Sequence, residues 1–510
     1  MILMKHGLLT WGETARESYE RTIEIVNKVE RYLHKKVVNS LVVTTTSSIK
    51  QAKTRYLEIV PILRGLLAVK TDNPDRPFKS FILRPLITNE VLEFLASKNA
   101  KQMAVSPPLT ADYLIRTKSL PLWIDNLQYG DMKKIRESFS SAISNYNRLY
   151  NAYFLRHRSQ IKNGVEPFDA MPRVILIPGV GAICAGEDVQ SADIVCDIVK
   201  ETISVKKEII EMGGVYKGLN EQHIFEMEYF SLQRKKLKKH DELSLQRSIA
   251  VVTGAAGAIG SGICEELLKN GCHVVATDIN STAVDSLVDE MSNTYGKKII
   301  GIQLDVTDPK SVKKGFNSVV STFGGIDIVI LNAGIAYVSS LEDMDLDNFR
   351  KLEKVNIEGT LNILSVASKL FNIQGTGGDV ILISTKNVFA PGAKFGAYSA
   401  TKAAAHQLAR IASLEFAEIG VRVNMVSPDA VFAHGKRRSG LWLEVGPDRM
   451  RARGLNEKEL EEYYRNRNLL KARVTATHVA KAVMFFATHQ TPTTGATIPV
   501  DGGLPNATPR

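Results

Sequence analysis

The sequence predicts an α/β protein whose second half is a doubly wound parallel sheet, preceded by a mixed α/β region. Three observations carry this. From Arg247 onward, short apolar runs alternate with segments of helical period, the pattern of strands joined by crossover helices. A glycine cluster stands directly after the first of these runs and opens a helical segment. Before residue 240 the alternation is missing, and strands and helices follow one another irregularly.

The chain opens on Lys5 to Gly12, a strand and turn, followed by Glu13 to Leu33. In that segment Ala15, Tyr19, Ile23, Val26, Val29 and Leu33 recur every three or four residues, an amphipathic helix. A strand end and one long helix have little to pack against. Either the helix leans on later segments or the front of a domain is missing. Further on, Ser80 to Leu83 reads as a short strand cut by Pro85, and Glu90 to Ser97 and Asp131 to Arg156 as helices. Arg173 to Ile177 reads as a buried strand ending in a glycine turn, and Ser191 to Met212 as another helix. The polar stretch His240 to Gln246 is the best boundary. The expected division is 1–45, 46–240 and 247–510.

The strands expected in the second half are Ile249–Thr253, His273–Thr277, Ile299–Asp305, Ile328–Leu331, Val380–Ser384, Arg422–Val426 and Thr497–Val500. Such sheets bind ligands outside the carboxyl ends of their strands, where the strand order reverses.

Composition narrows the class. With 510 residues, 44% apolar and 23% charged, the chain is an ordinary globular protein of about three domains. Four cysteines, Cys184, Cys196, Cys264 and Cys272, are too few for a disulfide scaffold and form no C-x-x-C pair. They read as inert thiols of a reducing, cytoplasmic protein. No apolar run reaches the roughly 18 residues of a membrane span, and the N-terminus has no signal-peptide pattern. The net charge of +11 is diffuse apart from Arg234 to His240, which reads as a solvated helix end rather than a nucleic-acid patch.

The chemistry begins at Thr253-Gly254-Ala255-Ala256-Gly257-Ala258-Ile259-Gly260. Glycines let the backbone turn tightly and approach a pyrophosphate, which the N–H groups of the following helix receive. Gly254, Gly257, Ile259 and Gly260 are the expected contacts. Asp278 ends the second strand, 18 residues past Gly260. A carboxylate there accepts from a ribose diol and repels a 2′-phosphate. Ile279 and Asn280 follow it, and no base sits in the glycine loop, so NAD is expected over NADP. Tyr398 and Lys402 lie four apart on one helix face. An ammonium beside a phenol favours phenolate, so the tyrosine is expected below its usual value of about 10 and able to act as a base. Ser384 and Thr385 place hydroxyls at the end of the preceding strand.

Over residues 247–510 these motifs resemble the short-chain dehydrogenase/reductase family. Its glycine motif matches 253–260, with Ala258 where glycine is usual. Its Asp after the third strand matches Asp305-Val306, and its Asn-Ala-Gly motif matches Asn332-Ala333-Gly334. Its helix asparagine matches Asn356, and its tyrosine and lysine match Tyr398 and Lys402. The family's serine falls 13 residues before the tyrosine, here Thr385, with Ser384 as the fallback. Asp429 follows Pro428 where glycine is usual and puts a carboxylate near the nicotinamide end. The resemblance implies a Rossmann-type fold and an NAD-dependent enzyme. In it Tyr398 exchanges the substrate proton, Lys402 holds the tyrosine's pKa down and contacts the nicotinamide ribose, Thr385 orients the substrate oxygen, and Asn356 supports a water relay. Asp305, Val306, Asn332, Ala333, Gly334 and Pro428 line the cofactor site by the same resemblance.

The first half has its own resemblance. His6 to Arg21 is similar to the end of a class II, zinc-dependent sugar-phosphate aldolase module. Leu109 to Leu122, Pro172 to Gly181 and Phe225 to Ser231 are similar to the connecting region of the bifunctional rhamnulose-1-phosphate aldolase/short-chain dehydrogenase family. The resemblance implies a small hydroxy-aldehyde substrate such as lactaldehyde. Among the ten histidines only His6 falls in a matching ligand motif, and none forms H-x-H. A catalytic zinc needs about three protein ligands, so no metal site is expected and the aldolase site reads as incomplete. The alternatives are a lyase completed by a missing front half, or a nucleotide-binding protein without catalysis. The expected partners are a small-molecule substrate and further copies of the chain as a homo-oligomer, with no nucleic acid and no membrane. Finally, Phe432 to Ala472 is a long connection rich in bases and aromatics, with Lys436, Arg437, Arg438, Arg449, Arg451, Arg453, Arg465 and Arg467 beside Trp442, Tyr463 and Tyr464. It reads as a basic lid that steers an anionic substrate or product.

Overall fold

The computed structural model describes residues 1–3, 7–37, 41–43, 46–161, 165–236, 242–505 and 507. The chain divides into two compact units, one of residues 1–69 and 81–241, the other of 70–80 and 242–510.

The second unit holds a seven-stranded sheet. Its strands are β1 Ile249–Thr253, β2 His273–Asp278, β3 Ile299–Gln303, β4 Ile328–Leu331, β5 Gly378–Ile383, β6 Val421–Pro428 and β7 Thr497–Val500. The order is β3-β2-β1-β4-β5-β6-β7, every pair parallel. β1 and β4 are buried along their whole length, as strands covered by helices on both faces must be. Register is set by pairs such as Val251 opposite both Val275 and Val329, and Val380 opposite Val423. The core on one face packs Val252, Val274 and Ile330 against Ile263 and Leu267 of helix Ala258–Lys269 and Val479 and Val483 of helix Ala476–Ala487. Gly262 lets those two helices approach, because a Cβ there would lie 2.7 Å from that of Ala476. The chain winds outward one way through β2 and β3, then returns to β4 beside β1. The crevice between the carboxyl ends of β1 and β4 is therefore the switch point. Residues 70–80 belong to this unit through Asp75, which receives Arg422 at 3.2 Å, and Lys79, which donates to Glu242 at 2.5 Å.

The first unit carries a four-stranded sheet in the order Ile82–Leu86, Gly181–Gly186, Val174–Ile177, Leu122–Trp123. Helices Ile49–Leu67, Met132–His157 and Val189–Glu211 are its longest besides Ala15–Lys36. The strand expected at Ser80 to Leu83 lies at Ile82–Leu86 and runs through Pro85. It is an edge strand, so a residue without an N–H is tolerated there. The first long helix is capped by the Thr14 hydroxyl, but its apolar stripe stays open, with Tyr19 66% and Val29 45% exposed. His6 and residues 237–241, which include the end of the basic run, lie outside the described residues. All four cysteines are free thiols, three of them buried. Among the described residues no helix is long and apolar enough to cross a membrane.

Candidate active site

β1 ends at Thr253, and Gly254 turns the chain with φ +61°, where a side chain is strained. A Cβ on Gly260 would lie 2.4 Å from the Gly254 carbonyl oxygen. The loop therefore presses flat against the first turn of helix Ala258–Lys269, leaving that helix's N–H groups facing the crevice. Asn332 clamps the loop to β4: its Nδ2 donates to the carbonyls of Thr253 and Gly254 at 3.0 and 2.8 Å. Ala258 has turned its methyl into the core and obstructs nothing. Asp278, at the end of β2, accepts from the N–H groups of Asn280 at 3.2 Å and Ala256 at 3.3 Å, which fixes it at the rim of the loop. Asp305 accepts both donors of Thr307 at 2.8 Å and shapes the turn after β3.

These residues line one cleft of about 980 Å³, together with Ile259, Val306, Ala333, Gly334, Thr385, Tyr398, Lys402 and Pro428. That volume is at the upper end for ligand sites. Of the residues expected at the site, Asn356 stands apart. It is 1% exposed, within a π-helical turn, Glu353–Glu358. Its Oδ1 accepts from Ile335 N–H at 3.0 Å, and its Nδ2 donates to the Ile335 carbonyl and to Thr401 Oγ1, both at 3.0 Å. The amide ties the segment after β4 to the helix of Tyr398.

Helix Gly396–Glu415 brings Tyr398 and Lys402 to the cleft, both buried. The Lys402 ammonium donates to the Ile383 carbonyl at 2.7 Å, and burial holds its pKa down to about 8. Tyr398 departs from expectation. Burial pushes its phenol up to about 12, and the group that works in the other direction is the Thr385 hydroxyl. The lysine's hydrogen bond is spent on a backbone carbonyl of β5, and desolvation of a phenolate dominates. Ser384 faces the other way. Its hydroxyl pairs with Nδ1 of His406 at 2.9 Å, and burial, with Arg410 and Lys402, holds that imidazole down to about 4 and hence neutral. Thr385 is the hydroxyl beside the tyrosine.

The connection after β6 folds into a small hairpin and helices Gly440–Arg451 and Glu457–Asn466. It lines the cleft with Trp442, Arg449, Arg453, Tyr463, Tyr464 and Arg467. Among the other bases of this stretch, Arg437 pairs with Glu290 at 2.7 Å and Arg465 with Glu462 at 3.0 Å. Trp442 stacks on Phe432 at 4.5 Å and meets Tyr464 edge-on at 4.8 Å. Asp429 is buried against Arg467 as a salt bridge. Lys386 was not anticipated in the sequence. Its signal is its place directly after Thr385, at the carboxyl end of β5.

Two family models match the chain: "short chain dehydrogenase" over residues 248–440 and "Aldolase class II, second domain" over residues 54–237. The chain is 32% identical over 515 residues to the uncharacterized oxidoreductase YuxG of Bacillus subtilis (strain 168), covering 99% of this chain and 73% of that protein. It is 27% identical over 262 residues to an L-rhamnose 1-dehydrogenase (NAD(P)(+)) of Sphingomonas sp. (strain SKA58), covering 51% of this chain and 97% of that protein. Among solved structures it is similar to the sorbitol-6-phosphate 2-dehydrogenase SrlD from Erwinia amylovora. The identity is 28% and the TM-score 0.47, over 50% of this chain and 98% of that one.

Proposed function

This chain belongs to the family that joins a class II aldolase domain to a short-chain dehydrogenase domain, and from that premise we propose that it is an NAD-dependent oxidoreductase acting on a small hydroxy-aldehyde or alcohol, lactaldehyde among them. That it is a dehydrogenase/reductase follows from the family; the cofactor and the substrate are the proposal. Breakdown of a deoxy sugar such as rhamnose is its setting, supported by the resemblance of both halves and by the name of the Sphingomonas relative.

Asp278 carries the choice of cofactor. The residues present fit a dinucleotide, because Gly254 and Gly260 let the loop pack against Ala333 and onto the first turn of the helix, with Gly257 open on its outer side. Gly254, Gly257, Ile259 and Gly260 would receive the pyrophosphate and Asp278 the ribose diol. Asp305, Val306, Asn332, Ala333 and Gly334 would line the path to the nicotinamide end, where Lys402, Tyr398 and Pro428 stand. When bound, NAD accepts or supplies a hydride. Tyr398 holds and moves the proton at its phenolic oxygen, and the neighbouring Thr385 hydroxyl orients the substrate oxygen. Lys402, fixed by Ile383, keeps a positive charge within the buried wall.

In this reading the Asp278 carboxylate would accept from the ribose diol and repel a 2′-phosphate. NADH is expected to bind at least tenfold tighter than NADPH, about 1.4 kcal/mol. Fluorescence titration of both checks this, and equal or tighter NADPH binding contradicts it.

A further inference from the structure

Beside Thr385 and Phe395, the cleft is lined by a group of cations. Lys386, Arg449, Arg453 and Arg467 line it, and the acids at that end are Asp429 and Glu444. Asp429 is taken by Arg467, and Glu444 points to an exposed position. Arg449 lies over the Phe395 ring at 4.0 Å and Arg453 over Tyr463 at 4.8 Å. Among the described residues neither has a carboxylate partner. The Nε atoms of Arg449 and Arg467 are buried without a hydrogen-bond acceptor.

A guanidinium N–H removed from water and left without an acceptor is costly, and folded proteins seldom keep one unless something supplies the oxygen. Both of these arginines line the same cavity, beside Arg453. Lys386 feels them: burial first, then Arg467 and Arg449, hold its ammonium down to about 8, although Asp429 and Asp501 work in the other direction. The guanidinium fork matches the oxygens of a phosphate or a carboxylate.

We propose that this end of the cleft is an anion subsite, so that the preferred substrate is a hydroxy compound carrying a phosphate-ester or carboxylate group. Arg449 and Arg453 receive that group, with Arg467 held beside them by Asp429, while Tyr398 and Thr385 hold the reacting oxygen. The inference rests on the oxidoreductase reading of the same cleft and adds the charge of the substrate to it. Lactaldehyde, which is uncharged, is then a small reference compound and not the preferred one.

The test uses the full chain and matched secondary alcohols: glycerol 3-phosphate against glycerol, and 3-hydroxybutyrate against 2-butanol. With NAD⁺, the charged member of at least one pair is expected to exceed its neutral partner tenfold or more in kcat/KM. The pair that responds identifies phosphate or carboxylate. Substituting Arg449→Gln and Arg453→Gln together lowers that ratio at least tenfold. Equal or inverted ratios in the wild type overturn the inference without any variant, and a ratio unchanged in the double variant overturns it as well.

A second readout does not depend on turnover. In a Trp11→Phe, Trp123→Phe background, Trp442 is the sole tryptophan. Inorganic phosphate and acetate are titrated against its fluorescence with NAD⁺ saturating the glycine loop. If no alcohol is oxidised, the oxidoreductase reading fails and this titration decides the inference alone. A saturable response that weakens tenfold in the double variant supports the subsite. No response to either ion overturns it.

Discussion

Two adjacent hydroxyls, Ser384 and Thr385, are given different tasks by the turn that ends β5. Ser384 is bound to His406, and Thr385 stands beside Tyr398. Thr385→Ser keeps the donor and frees χ1, so turnover is expected to hold or rise. Thr385→Ala removes it, and a drop of about 10² is expected, as for other lost transition-state donors. Ser384→Ala leaves a buried neutral imidazole without its partner, which costs about 1 kcal/mol of stability and changes turnover little. Steady-state rates and urea midpoints of the three variants check this, and a silent Thr385→Ala beside an inactive Ser384→Ala reverses the assignment. At this scale the pairing of Tyr398 with Lys402 was legible, because helix geometry converts a spacing of four into a shared face, whereas Thr385 came only from the family resemblance. The state of the tyrosine was not. It depends on how deeply the phenol is buried and on the Ile383 carbonyl that takes up the lysine, both set by a strand the spacing does not mention.

The glycine loop shows why one glycine is not another. A Cβ at Gly260 would meet the Gly254 oxygen at 2.4 Å and Ala255 Cα at 2.7 Å, both backbone, whereas at Gly257 the nearest atom is 3.6 Å away. Gly260→Ala is therefore expected to cost about 1–3 kcal/mol and weaken NADH binding tenfold or more. Gly257→Ala is expected to stay within about 0.5 kcal/mol in the cofactor-free chain. Urea melts with NADH titrations check this; equal costs for both would show that the loop is not packed as described. The seven strands were legible because short apolar runs, bounded by turn residues, have few other readings. Their ends slipped where a neighbour extends the ladder, as Gly378 does opposite Val421. In the first unit the same method failed at Gly181–Gly186, a fully buried central strand of small residues. Helix Ile49–Leu67 was hidden too, since Pro61 lies inside it and argues against a helix.

The whole chain comprises two units, and its linear order conceals that residues 70–80 belong to the second. Nothing in that short segment announces its partners, Arg422 and Glu242, which lie more than 150 residues away. If the cofactor site lies wholly in the second unit, a ligand should stabilise that unit. NAD at a hundred times its Kd adds about 2.7 kcal/mol to the state that binds it. Calorimetry is expected to show the transition of the unit of 70–80 and 242–510 move upward, while that of the other stays; a shift of the other transition alone would contradict the assignment. The central claim is that this chain transfers hydride between NAD and a small hydroxy compound through Tyr398. Its most direct test is the rate of NADH formation by the full chain and by Tyr398→Phe, with saturating NAD⁺ and lactaldehyde or the alcohols named above. The wild type should form NADH, and Tyr398→Phe should be slower by roughly 10² or more while still binding NADH. Turnover by Tyr398→Phe at the wild-type rate, or a wild type that binds NADH yet transfers no hydride to or from any of these compounds, would contradict the account.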